Sequence, residues 1–171
     1  FLFSLMFLRI KKVKEKEYCY LVENKWKGGK ALQTVKKYFG RVVRADSGTV
    51  DFFDFYSIKN VDLFLKKKDK KEILRDVVVW ELSAAGFSRC ENGLEKNGIG
   101  WDDKMMELCY GNKHVVLRLN DGFLCDYTLH KILAFRRSGN IEKDSVALAR
   151  AFVDAGLRVP KEVFIGFFGK G

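Results

Sequence analysis

At 171 residues, with 47% hydrophobic and 14% aromatic side chains, the chain has enough apolar content to fold around a core, which excludes a disordered basic tail. Its net charge of +10 is concentrated: residues 1–44 carry twelve Lys or Arg against three acids, and the other 127 residues hold 20 basic and 19 acidic side chains. One proline and no apolar run near the ~20 residues of a membrane span exclude a Pro-rich linker and a transmembrane helix.

The opening Phe1 to Phe7 is apolar but short, with no basic residue before it and no small-residue cleavage site, so it is not read as a secretory signal. Met6 reads as a natural start with Phe1 to Leu5 as upstream sequence, and the expected location is cytoplasmic. Leu8 and Ile10 alternate with Arg9 and Lys11, predicting a first strand over Met6 to Val13 with one apolar and one basic face. Lys14 to Lys16 make the turn. Alternation from Tyr18 predicts a second strand ending near Trp26, and Gly28-Gly29 supplies a tight hairpin into a third, Leu32 to Phe39, that closes at Gly40. The result is a basic, three-stranded antiparallel β-module over residues 1–44. Its apolar face is expected to be covered by a helix near Asn60 to Lys67 or by the one beginning at Lys70.

Residues 45–171 are read as a separate α+β domain. Asp69 and Glu72 form a capping box, and Ile73, Leu74, Val77, Trp80 and Ala84 recur at helical spacing until Gly86. From Phe87 to Cys125 the pairs Asn92-Gly93, Asn97-Gly98, Gly111-Asn112 and Asp121-Gly122 punctuate short apolar runs, predicting an antiparallel meander whose main strands are Met105 to Tyr110 and His114 to Leu119. Three helices follow, over Tyr127 to Arg136, Ile141 to Ala155 and Pro160 to Phe168, with Asn140 and Gly156 as caps of the second. These three are read chiefly as core packing. A helix-turn-helix with Ile141 to Ala155 as its recognition helix is disfavoured by the mixed charge of Glu142, Lys143, Asp144, Arg150 and Asp154.

A local excess of nine positive charges attracts polyanions and releases counterions from a phosphate backbone, so the partner expected is nucleic acid, DNA or RNA. The expected contacts are Arg9, Lys11, Lys12 and Lys14 on the first strand and turn, and Lys25, Trp26, Lys27 and Lys30 around the hairpin. Lys36, Lys37 and Tyr38 of the third strand follow, with Arg41 and Arg44 after it. Arg9, Lys11 and Lys36 are expected on one solvent-facing side, cations on phosphates and aromatics on exposed bases. The plainer alternative is a solvated or charge-protected sheet face. An RNA-associated or ribosomal structural factor, and an adaptor whose basic face meets an acidic protein, are the other partner classes.

The segments Met6 to Val13 (MFLRIKKV), Tyr18 to Asn24 (YCYLVEN) and Val35 to Gly40 (VKKYFG) resemble the opening segment of some insertion-sequence transposases and of small archaeal proteins. The resemblance covers about 40 residues. It implies DNA or RNA binding and carries over no catalytic residue, because 171 residues cannot also house the long transposase domain with its three separated acids.

No catalytic, cofactor or metal residues are assigned. Asp102, Asp103 and Glu107, with Glu81 on the preceding helix, are the acids a metal-dependent nuclease would use, but Glu107 is followed by Leu108 and Cys109 and makes no E-x-K strand. Cys19, Cys90, Cys109 and Cys125 contain no C-x-x-C pair and are read as reduced, mostly buried thiols, with a metal site drawn from Cys90, Cys109, His114, Cys125 and His130 as the alternative. Phosphate-cradling and nucleophile-elbow motifs are absent from the sequence.

Overall fold

The computed structural model describes residues 4–171; Phe1 to Phe3 lie outside them. Among the described residues the chain forms a mixed sheet of nine strands and six helices, an α+β fold. β1 (Ser4–Val13) and β2 (Lys16–Lys27) pair antiparallel across a turn at Lys14-Glu15, with Leu8 opposite Leu21 and Ile10 opposite Cys19. β3 (Lys30–Arg44) returns along β2 through Gly28 and Gly29, whose φ values of +57° and +74° match the left-handed pair of a twisted two-residue hairpin.

The third strand does not close at Gly40. It runs on to Arg44 because Arg41 to Arg44 pair in parallel with Val115 to Arg118 of a later strand. Gly40 has φ +117°, and a Cβ there would stand 2.1 Å from the His114 carbonyl oxygen. Close approach of two backbones, not a chain reversal, is what demands glycine at this position.

Parallel pairing needs a long crossover. Here it comprises α1 (Phe52–Phe55), α2 (Val61–Lys66), α3 (Lys70–Ala84) and the meander strands β4 (Ser88–Cys90), β5 (Gly93–Lys96), β6 (Ile99–Asp102) and β7 (Glu107–Tyr110). β8 (Lys113–Leu119) is then the hub: β7 pairs with its start, β3 with its middle and β9 (Gly122–Leu124) with its end. The remaining path is β1-β2-β3-β8-β7-β6-β5-β4. The expected boundary after residue 44 coincides with the end of β3, and the β3–β8 ladder carries the sheet across it.

The capping box at Asp69 and Glu72 starts α3, and the turn after it places Gly86 at φ +90°. α3 is buried on more than the expected stripe: Val78, Val79 and Leu82 are covered along with Ile73, Leu74 and Val77. The meander supplies Leu94, Trp101 and Leu108 to the main core. α4 (Asp126–Ala134), α5 (Ile141–Asp154) and α6 (Lys161–Gly169) add Leu129, Ile132, Leu148, Phe152, Val163 and Phe167. Asn97-Gly98 and Gly111-Asn112 make their turns as expected. The first and last reversals each fall one residue earlier, at Glu91-Asn92 and Asn120-Asp121, and Met105 and Met106 belong to the β6–β7 turn rather than to a strand.

A second, smaller core corrects the expected cover of the basic module. Cys19, Phe39 and Val42 pack with Val116 and Cys125, joined by Leu8, Ile10, Leu21, Phe123 and Tyr127. The apolar face therefore rests on β9 and the start of α4, not on α2 or α3. The cause is the β3–β8 ladder, which sets the module beside whatever follows β8 in the chain. No helix among the described residues is long and apolar enough to cross a membrane.

Candidate nucleic-acid interface

Regular alternation along β2 sends Cys19, Leu21 and Glu23 to one face and Tyr18, Tyr20 and Val22 to the other. Across from the second set lie Lys11, opposite Tyr18, and Arg9, opposite Tyr20. On β3, Tyr38 faces Tyr20 and Arg41 faces Tyr18. The open face thus gathers three tyrosines, with ring centroids 5.1 Å apart for Tyr20 and Tyr38 and 6.4 Å for Tyr18 and Tyr38. Lys11 Nζ sits 5.5 Å over the Tyr20 ring. The Arg9 guanidinium reaches across β2 and donates to the Gln33 side chain, which donates in turn to Asn24 at 2.9 Å. Partial burial, then the neighbouring phenols of Tyr20 and Tyr18, push the Tyr38 hydroxyl above its ordinary pKa, so it stays a neutral donor.

Two bulges in β3 redistribute the remaining cations. Cys19 pairs with Gly40 and Tyr20 with Tyr38, leaving Phe39 extra; Leu21 pairs with Lys37 and Val22 with Val35, leaving Lys36 extra. Each inserted residue breaks the alternation that sequence reading assumes. Lys36 accordingly does not join Arg9 and Lys11 but meets Glu23 on the opposite side, Nζ to Oε2 at 2.6 Å, with Lys25 on the same oxygen at 3.5 Å. Lys37 pairs with Asp126 at 3.2 Å and lies over Phe39, while Arg44 pairs with Glu17 at 3.0 Å. Trp26, Lys27 and Lys30 flank the exposed tip at Gly28-Gly29, Lys14 is in the β1–β2 turn, and Lys12 alternates with Arg9 and Lys11.

The open face continues into a groove of about 720 Å³ at the seam with the meander. Lys16, Tyr18, Tyr38 and Arg41 form one wall; Asn97, Tyr110, Asn112, Lys113 and His114 form the other. Its lining holds no carboxylate, and Lys16, Arg41 and Lys113 make no ion pair among the described residues. The volume suits a nucleotide-sized group. Sequence reading missed Lys16, Tyr18, Tyr20, Tyr110 and Lys113. Tyr110 and Lys113 flank the legible Gly111-Asn112 turn, but nothing local to that hairpin says that it will stand beside β3.

The acids considered for a nuclease are dispersed. Glu81 is fully buried and takes Arg158 through Nε at 2.7 Å, a second guanidinium nitrogen at 3.1 Å and the Arg158 backbone N–H at 2.9 Å. Asp103 accepts from Arg89 at 2.6 Å and the Trp101 indole at 2.9 Å, and Asp102 caps the backbone of Lys104 and Met105. Glu107 alone turns elsewhere, toward Cys109 and His114. The four cysteines are free: Cys19 and Cys125 are buried and Cys109 is half-buried, in line with the expectation of mostly buried thiols, and Cys90 alone is exposed. Burial, followed by the Cys125 thiol, pushes Cys19 up to about 12. Cys109 is raised too, by burial first and then by the charges of Glu107 and Asp102, which makes it a poor nucleophile. On α5, Leu148 and Phe152 pack inward and Asp144 is buried against the Ser138 hydroxyl at 2.7 Å, with Lys143 and Arg150 exposed. No family model, no curated protein and no solved structure matches this chain.

Proposed function

We propose that this chain is a nucleic-acid-binding protein that receives a single-stranded segment along the open face of β1–β3 and into the groove beside Tyr110. The observation that carries the reading is the sorting of charge. Lys25, Lys36 and Lys37 on the covered side of the module are matched by Glu23 and Asp126, whereas Lys16, Arg41 and Lys113 line a carboxylate-free groove with Tyr18, Tyr38 and Tyr110. Phosphates take the cations and base faces take the rings, the combination that holds single strands without sequence readout. The N-terminal likeness to transposase opening segments points the same way. A binding role of this kind needs no reaction and no cofactor, and fits a cytoplasmic protein.

Counterion release supplies the test. If Arg9, Lys11, Lys16, Arg41 and Lys113 each meet one phosphate, log affinity for a single-stranded oligonucleotide falls against log salt with a slope of about −3 to −4. Replacing Lys16, Arg41 and Lys113 together with Gln flattens the slope by about two units, while Lys36→Gln with Lys37→Gln leaves it nearly unchanged. Tyr38→Ala weakens binding by about 1–3 kcal/mol if a base stacks there. A slope dominated by Lys36 and Lys37 moves the interface to the covered side. A slope near zero for DNA and RNA alike replaces the nucleic acid with an acidic protein partner.

A further inference from the structure

The β7–β8 hairpin places an unused donor set beside the groove. Its two-residue turn, Gly111-Asn112, makes Tyr110 and Lys113 the flanking pair, so Cys109 and His114 are the next pair out. In an antiparallel ladder that second pair is the non-hydrogen-bonded kind, in which facing side chains stand closest. Glu107, two residues before Cys109 on β7, shares the same face and lies diagonal to His114. The resulting separations are 3.7 Å from Cys109 Sγ to His114 Nδ1 and 3.9 Å from His114 Nδ1 to Glu107 Oε2, with all three donor atoms within 4.8 Å of one another.

We propose that Glu107, Cys109 and His114 form a binding site for one zinc-class divalent cation. In tetrahedral coordination, with Zn–S near 2.3 Å and Zn–N near 2.0–2.1 Å, sulfur and nitrogen stand about 3.6 Å apart, and nitrogen and carboxylate oxygen about 3.3 Å. The first separation already matches within about 0.1 Å, and the second closes with a small rotation of His114, whose side chain is 66% exposed and free to turn. One thiol, one imidazole and one carboxylate select a borderline-soft ion over magnesium or calcium, which require oxygen ligands throughout. Three protein donors leave a fourth position. Glu107 and His114 both line a cavity of about 160 Å³ that also contains Lys37 and Asp126, room for a few waters or one small anion but not for a nucleotide. His114 lines the larger groove too, so the ion would sit on the wall between the two spaces.

The experiment uses the purified, metal-stripped full chain titrated with zinc chloride, and with cobalt chloride as a spectroscopic probe. One equivalent of zinc is expected to bind and to raise the unfolding temperature. Cobalt should develop visible bands together with a near-ultraviolet thiolate-to-metal charge-transfer band. Cys109→Ser should abolish the charge-transfer band, and Cys109→Ser and His114→Ala should each weaken zinc by at least about 100-fold, more than the 10–100-fold that outer-shell changes cost. Cys90→Ser, which removes the exposed cysteine on β4, should change neither property. Circular dichroism of each variant guards against misfolding, and Glu107→Gln keeps the side-chain shape while removing the charge. Absence of stoichiometric binding by the parent chain overturns the proposal. Binding that survives Cys109→Ser and His114→Ala, or that is lost in Cys90→Ser, also overturns it.

Discussion

Glu23 illustrates how one acid among twelve cations earns its position. It is 8% exposed, accepts from the Ser4 hydroxyl, and is flanked by Lys36 and Lys25. The Lys36 ammonium first, and the Ser4 hydroxyl second, bring its carboxyl from the ordinary 4.5 down to about 2. A carboxyl whose folded value lies below its unfolded value binds its proton more weakly when folded, so its stabilisation is complete above pH 4.5 and gone once the pH falls through 2. Glu23→Gln should therefore lower stability at neutral pH, and the gap between parent and variant, followed by urea denaturation, should close as pH falls from 4.5 toward 2. A gap that persists at pH 2 assigns the effect to packing. The Glu81–Arg158 pair works differently: Arg158 also lies 5.3 Å over the Trp80 ring, tying the loop after α5 to α3 through one carboxylate that is fully buried.

Among the elements, β3 carries the most structural information and gave up the least of it to sequence reading. Its hairpin was legible because Gly28-Gly29 accepts the positive φ angles of a tight two-residue turn, and α3 was legible because Asp69, Glu72 and Gly86 mark both ends. The bulges at Phe39 and Lys36 were not, since alternation alone cannot say where a residue is skipped, and that is why Lys36 was expected beside Arg9. Gly40 reads as a strand end in one dimension and proves to be a contact point in three. Gly40→Ala should cost about 2–4 kcal/mol, combining left-handed strain with displacement of the His114 carbonyl. Gly29→Ala, whose Cβ meets nothing, should cost only about 1–2 kcal/mol. Thermal unfolding of the two variants distinguishes these cases, and equal losses would mean that the β3–β8 approach tolerates a methyl group.

At the level of the whole molecule, the module and the rest of the chain share one sheet and the Cys19–Val116 core. A fragment covering residues 45–171 should lose the cover over Val116 and Cys125, bind a hydrophobic dye and unfold without a sharp transition; a cooperative transition in that fragment would show that the small core is dispensable. The α+β class and most elements could be read from periodicity and turn residues. The groove could not, because it depends on a pairing between Arg41 and Val115, 74 positions apart, for which neither strand carries a local signal. That distance has a temporal side. At roughly 5–20 residues per second, β8 is made about 4 to 15 s after β3, and throughout that interval the β3 edge that β8 will cover is unpaired and open to a neighbouring nascent copy. The net charge of +9 on the waiting hairpins would repel a neighbouring nascent copy by simple electrostatics until its own β8 arrives.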